Sequence, residues 1–241
     1  MRNSAERRGS ETAAAGSRGG IPRADGGKAH IMTEIKLCGL TRAEDIEAAN
    51  RLRPDYIGLV FAKKSKRYVT PEKAASLKVL LAEEIKAVGV FVNEPPEQVA
   101  KLLTDGVIDI AQLHGAEDED YIRTLRTLTD KPVIKAFRLG TAGTEPGSEA
   151  AAILTEAARC SADYILLDSG AGTGEAFDRT ILKDFNRPFF LAGGMSPETV
   201  AEAIREVHPF AVDVSSGIET EGVKDAAKMQ AFCDAVRKET L

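Results

Sequence analysis

From Ile35 onward, short apolar runs alternate with stretches of helical pattern. Eight runs stand out: Ile35–Cys38, Tyr56–Phe61, Ala87–Val92, Ile108–Leu113, Val133–Phe137, Tyr164–Leu167, Phe189–Ala192 and Ala211–Val214. They are apolar almost throughout, as strands covered on both faces should be. Helix-start signals lie between them. Thr41 stands ahead of Arg42–Leu52 as an N-cap, with Glu44 in the first turn and Ala49 and Leu52 on the apolar side. Thr70-Pro71-Glu72, Pro95-Pro96-Glu97 and Ser196-Pro197-Glu198 place proline in a first turn, where its missing N–H costs nothing. Glu117–Leu128, Glu149–Arg159 and Lys224–Arg237 read as further helices, and a short sixth lies near Phe177–Phe185.

Strand–helix alternation with crossovers of this length predicts a parallel sheet. Eight repeats favour one closed (β/α)8 barrel, a TIM barrel, and 241 residues suits that size. An open dinucleotide-binding sheet would carry Gly-x-Gly-x-x-Gly after its first strand, where this chain has Cys38-Gly39-Leu40-Thr41. No strong sequence repeat accompanies the architectural one. Residues 1–31 differ: they are rich in Gly, Ser, Ala and Arg with no apolar period. Such a segment buries too little surface to offset its ordering entropy, so it reads as a disordered, flexible tail before a barrel over 32–241, with Met32 as a natural start. It lacks the apolar block of a secretory signal. An organellar transit peptide is the weaker reading, because Glu6, Glu11 and Asp25 accompany the arginines.

Composition narrows the partners. Residues are 43% hydrophobic and 29% charged, which supports a buried core. A net charge of −5 argues against nucleic acid or an anionic membrane, so a bound phosphate must be held by loops. No apolar stretch approaches the roughly 20 residues of a membrane span. Cys38, Cys160 and Cys233 form neither a disulfide framework nor a zinc pattern, which fits a reducing cytoplasm. His30, His114 and His208 lack ligand spacing, so no metal site is expected.

In a (β/α)8 barrel the chemistry lies at the carboxyl ends of the strands. Gly172-Thr173-Gly174, Gly193-Gly194 and Ser215-Ser216-Gly217 follow the last three strands. Glycine lets backbone N–H groups approach an anion, and consecutive loops of this kind point to a phosphate cradle rather than to tight turns alone. Cys38 ends the first strand and Asp168 the sixth. A strand-end cysteine is more often a small buried hydrophobe than a catalyst. It serves as a base only where its surroundings favour the thiolate, and Lys36 and the N–H groups opening the next helix are the nearby candidates. Asp168 emerges from the dry run Ile165-Leu166-Leu167. It is either a loop anchor or a general acid kept protonated by partial desolvation. Cys160 and Cys233 fall in helical stretches and have no comparable partner.

These motifs, in this order, resemble the phosphoribosylanthranilate isomerase family of tryptophan biosynthesis. The likeness runs from about residue 33 to the end. It is carried by Ile35-Lys36-Leu37-Cys38-Gly39-Leu40-Thr41, Gly58-Leu59-Val60-Phe61 with Lys64-Ser65-Lys66-Arg67-Tyr68-Val69, and Val88-Gly89-Val90-Phe91-Val92-Asn93. Gln112-Leu113-His114-Gly115, Leu166-Leu167-Asp168, Gly172-Thr173-Gly174 and Phe177-Asp178 continue it. Leu191-Ala192-Gly193-Gly194-Met195, Asp213-Val214-Ser215-Ser216-Gly217-Ile218-Glu219 and Gly222-Val223-Lys224-Asp225 complete it. The resemblance implies a cofactor-free Amadori rearrangement of N-(5-phosphoribosyl)anthranilate to 1-(2-carboxyphenylamino)-1-deoxyribulose 5-phosphate. It makes Asp168 the general acid that opens the sugar ring and Cys38 the base that takes the C2 proton. Arg67 matches a basic residue near the anthranilate carboxylate, otherwise an ordinary solvated charge. Gln112, His114 and Asp213 match polar positions near the substrate, although a lone histidine after a strand is commonly structural.

Two departures stand out: Lys66 where the family often has Pro, and a shortened loop after Asp168. The implied partner is a small phosphosugar, with the chain a monomer or homodimer. A ribulose-phosphate epimerase would need metal-binding histidines at its strand ends. The histidine-pathway isomerase would place Asp at position 38, and indole-glycerol-phosphate synthase Lys. A non-catalytic phosphate-binding barrel is the rival from another class.

Overall fold

The computed structural model describes residues 32–140, 148–170 and 179–239. The stretch before Met32 and the Gly172-Thr173-Gly174 and Phe177-Asp178 motifs lie outside the described residues. Eight parallel strands close into a barrel in sequence order: β1 (Glu34–Cys38), β2 (Tyr56–Val60), β3 (Lys86–Phe91), β4 (Ile110–Leu113), β5 (Val133–Arg138), β6 (Tyr164–Asp168), β7 (Phe189–Ala192) and β8 (Ala211–Val214). The seam is β1 against β8, with Lys36 opposite Asp213 and Leu37 opposite Val214. Around them run α1 (Ala43–Leu52), α2 (Pro71–Leu80), α3 (Pro96–Thr104), α4 (Glu119–Leu128), α5 (Ser148–Arg159), α6 (Val200–Val207) and α7 (Ala226–Glu239).

The strand period of two separates two cores. Leu37, Leu59, Phe91, Leu113, Leu167 and Leu191 belong to the layer between barrel and helices. Tyr56, Val88, Ile110, Ile134, Leu166 and Phe190 belong to a second cluster, the barrel's own filling. Its aromatic members pack edge-on: the Tyr56 and Phe190 rings lie 5.3 Å apart and the Tyr164 and Phe190 rings 5.8 Å. One device recurs at equal intervals along the chain. Asp55, Asp109 and Asp163, each the residue before an even-numbered strand, accept the N–H of Ile35, Ala87 and Val133 at 2.8, 2.8 and 2.7 Å. The start of each preceding odd strand is thereby satisfied and pinned.

Several expected helix starts moved. Thr70 does cap α2, accepting from Lys73 N at 3.2 Å. Thr41 does not cap α1; Asp45 does that work from inside the helix, accepting the N–H groups of Thr41 and Arg42 at 3.0 Å each. The helix expected to open at Ser196, α6, opens at Val200 instead. Thr199 holds a turn there by accepting Ser196 N at 3.0 Å and donating to Gly194 O at 3.1 Å. Among the described residues, the sixth helical stretch is a 3-10 turn, Arg179–Leu182. A two-stranded hairpin, β9 (Glu219–Thr220) with β10 (Val223–Lys224), follows β8 and was not anticipated. Cys160 lies one residue past α5 rather than inside it. Among the described residues, no helix is long and apolar enough to cross a membrane.

The seam carries a stability prediction. Lys36 is fully buried and its Nζ sits 2.9 Å from Asp213 Oδ2. Removing one partner of such a pair strands the other charge, which costs about 3–5 kcal/mol. Lys36→Met is therefore expected to lower unfolding stability by that amount in urea titration, and Lys36→Met/Asp213→Leu to recover most of it. A loss under about 1 kcal/mol for the single change would contradict the assignment.

Candidate active site

The carboxyl ends of the strands bring the sequence-predicted residues that the structure describes to one mouth. Cys38 closes β1 and clusters with Val60 and Val90 at the top of the barrel filling. Gly58 makes room for it: a Cβ at Gly58 would lie 2.5 Å from the Cys38 Sγ. Asp168 closes β6 three strands away around the wall, β1 to β8 to β7 to β6. Neighbouring strands are about 4.8 Å apart, so the backbones are separated by roughly 14 Å along the wall.

The protonation states differ from the sequence expectation. Burial pushes the Cys38 thiol above its ordinary value, and the cations of Lys36 and Lys224 only partly offset it. Asp45 accepts the N–H groups of Thr41 and Arg42, just ahead of α1. Burial also pushes Asp168 upward. The His114 hydrogen bond, the Gly170 N–H at 3.0 Å and the Arg138 charge outweigh it, holding the carboxyl below its ordinary value. Desolvation thus does not keep Asp168 protonated. At neutral pH the pair rests as thiol and carboxylate.

His114 and Gln112 are joined to Asp168 in a chain. Gln112 Nε2 donates to His114 Nδ1 at 2.8 Å, which leaves the hydrogen on Nε2, 3.3 Å from Asp168 Oδ2. The turn bearing His114 is held from beneath by buried Glu117, which accepts Asn93 N at 2.6 Å and Gly115 N at 2.7 Å. Two buried acceptors have no partner among the described residues: Gln112 Oε1 and Asp213 Oδ1. Such groups call for a donor.

The turns after β7 and β8 meet. Gly193 (φ +91°) and Gly194 (φ +63°) adopt left-handed backbone, and a Cβ on Gly193 would lie 2.8 Å from Asp168 Oδ1. A Cβ on Gly217 would lie 2.0 Å from Met195 O, so the two backbones touch there. Ser215 donates to Cys38 O at 3.2 Å, tying this pair of turns to the end of β1, and Ser216 is exposed beside it. Gly172, Thr173 and Gly174, the third part of the expected cradle, lie outside the described residues.

Arg67 lies across the end of β1, its Cδ 2.4 Å from where a Cβ on Gly39 would stand. It is not a solvated charge: its Nε and Nη2 donate to the two oxygens of Glu219 at 2.5 and 2.9 Å. Lys224 Nζ donates to the same carboxylate at 2.8 Å and to Ser215 O at 2.8 Å. Burial pushes Glu219 upward, but Arg67 and Lys224 pull it down to about 2. Sequence reasoning gave Glu219 and Lys224 no role; their only signal was membership of the two C-terminal motifs. The other two thiols, Cys160 and Cys233, are pushed up by burial to about 11 and lie away from the mouth. Among the described residues, no group of three or more His, Cys, Asp or Glu side chains is placed to hold a metal ion.

The chain is similar to known proteins in sequence and in fold. Residues 35–235 match the sequence model of N-(5'phosphoribosyl)anthranilate (PRA) isomerase. The chain is 45% identical over 208 residues to N-(5'-phosphoribosyl)anthranilate isomerase of Thermoanaerobacter sp. (strain X514), covering 86% of this chain and 98% of that one. Among solved structures, the phosphoribosyl anthranilate isomerase of Thermotoga maritima superposes with a TM-score of 0.75 at 34% identity, covering 86% of this chain and 100% of that one. A phosphoribosyl anthranilate isomerase in complex with reduced 1-(o-carboxyphenylamino)-1-deoxyribulose 5-phosphate gives 0.73 at 34% identity, with the same coverage.

Proposed function

Because the chain belongs to the N-(5'-phosphoribosyl)anthranilate isomerase family, we propose that it converts N-(5-phosphoribosyl)anthranilate to 1-(2-carboxyphenylamino)-1-deoxyribulose 5-phosphate, the isomerisation of tryptophan biosynthesis. The observation that carries this reading is a thiol and a carboxyl, Cys38 and Asp168, ending β1 and β6 across one mouth.

Asp168 in its acid form protonates the furanose ring oxygen while the anilino nitrogen lone pair expels it, giving an open Schiff base. The Cys38 thiolate takes the C2 proton, and the electron pair forms C1=C2 as the C=N bond becomes an amine. The thiol then returns a proton to C1 and the C2 hydroxyl gives its own to Asp168, leaving the ketone and both groups as they began. Gln112 Oε1 and Asp213 Oδ1 accept sugar hydroxyls, which supplies the donors both lack. His114 steers Asp168 through its Nε2–H. Arg67 pairs with the ring carboxylate, which planar guanidinium geometry suits. Gly193, Gly194, Ser215, Ser216 and Gly217 hold the phosphate, joined by Gly172, Thr173 and Gly174 of the β6 loop.

The working form needs the one proton of the pair on Asp168, whereas the surroundings of the two groups favour it on Cys38. The proton count is the same, so kcat/KM follows the singly protonated pair. Activity falls as pH drops through the lowered Asp168 value and as it rises through the raised Cys38 value. The predicted profile is a broad plateau, with its acid limb below the ordinary aspartate range and its basic limb above the ordinary thiol range. A narrow bell with both limbs between pH 5 and 8 would contradict this assignment. The function itself is tested by incubating the purified protein with the substrate and trapping the product with borohydride. The reduced ketose is expected, and unchanged substrate would overturn the reading.

A further inference from the structure

Glu219 sits at the open end of a short hairpin, paired with Lys224, yet its side chain is only 5% exposed and faces three cations, Arg67, Lys224 and, at 3.8 Å, Lys66. Its two oxygens take the side edge of the Arg67 guanidinium, Nε and Nη2. Nη1 makes no hydrogen bond among the described residues, so the end-on edge, Nη1 with the outer N–H of Nη2, remains open. An arginine gripped along one edge and open along the other presents a fixed fork, and a second planar carboxylate fits that fork. Lys224, nearly fully buried, prevents Glu219 from turning away: its Nζ bridges Glu219 Oε1 and Ser215 O, the turn that leads from β8.

We propose that Glu219, anchored by Lys224, is a positioning residue that aims the free edge of Arg67 at the ring carboxylate of the substrate. On this view it sets the site's preference for an anthranilate over an aniline glycoside. The inference rests on the isomerase reading above. It makes the Arg67–Glu219–Lys224 chain the link between the two anionic ends of one substrate, because Lys224 also braces Ser215 of the proposed phosphate turn.

The test compares two probes, the borohydride-reduced product and the same compound without its ring carboxylate. Binding of both is measured for the full chain, for Glu219→Gln and for Glu219→Asp. Wild type is expected to prefer the carboxylate-bearing probe by about 10²-fold. Glu219→Gln should shrink that preference to within a few-fold, with KM for substrate rising more than kcat falls, and Glu219→Asp should recover part of it. In an Arg67→Met background the Gln substitution should change the preference no further, a readout that holds even if the single variant folds poorly. Equal weakening of both probes would mean a structural role only. Tighter binding of the carboxylate-bearing probe by Glu219→Gln would mean that Glu219 competes with substrate; either result overturns the proposal. If wild type binds neither probe, the isomerase reading itself fails.

Discussion

Cys38→Ala should lower kcat by about 10²-fold or more while leaving the affinity for the reduced product nearly intact. The size of the effect follows from what the thiol does. General-base removal of a proton from carbon contributes roughly 10²–10⁴-fold, and the thiol that does it sits among Val60 and Val90. Lys36 is committed to Asp213, and Lys224 to Glu219 and Ser215, so neither can take over. The substitution removes one buried sulfur beside Gly58 and leaves a small cavity, a loss of about 1–2 kcal/mol of stability, so the fold should survive. Turnover close to wild type, measured as loss of the fluorescence of the anthranilate substrate, would remove Cys38 from the mechanism.

Asp168→Asn should be nearly as damaging, again about 10²-fold or more on kcat. Asparagine keeps the shape between Gly193 and the Gly170 N–H, and its carbonyl can still accept from His114, but it has no proton to give to a ring oxygen. The group beside it, His114 Nε2 at 3.3 Å, is the one that an active Asp168→Asn variant would implicate as the acid. The two substitutions should also act on different steps. Asn at 168 stalls the closed furanose; Ala at 38 stalls the opened Schiff base. Rapid-quench product analysis distinguishes these, and accumulation of the same species in both variants would show that the roles have been divided incorrectly.

The barrel was legible because parallel strands covered on both faces leave unbroken apolar runs, and β7 and β8 fall where those runs do. The reading failed where apolar residues pack outside a strand. Ile108 belongs to the buried core but sits in the loop after α3, its N–H turned to Leu102 O, so β4 begins two residues later than the run. Positions of Cys38, Asp168 and the β7 and β8 glycines came directly from strand-end logic. Their protonation did not, because it is set by groups remote in the chain. Asp168 is held down by His114 across 54 residues, and Arg67 is held by Glu219 across 152. Asp45 also illustrates the limit. Read from sequence it is one more acidic residue in a first helical turn, yet it accepts the N–H groups of Thr41 and Arg42 and so closes the turn that leads from β1 into α1.

One comparison bears most directly on the claim that a single thiol and a single carboxyl do the chemistry across this mouth. Wild type, Cys38→Ala and Asp168→Asn are assayed side by side for loss of substrate fluorescence, with affinity for the reduced product measured on each. The account predicts that all three bind and that only wild type turns over. Turnover by either variant within tenfold of wild type, or none by wild type, would contradict it.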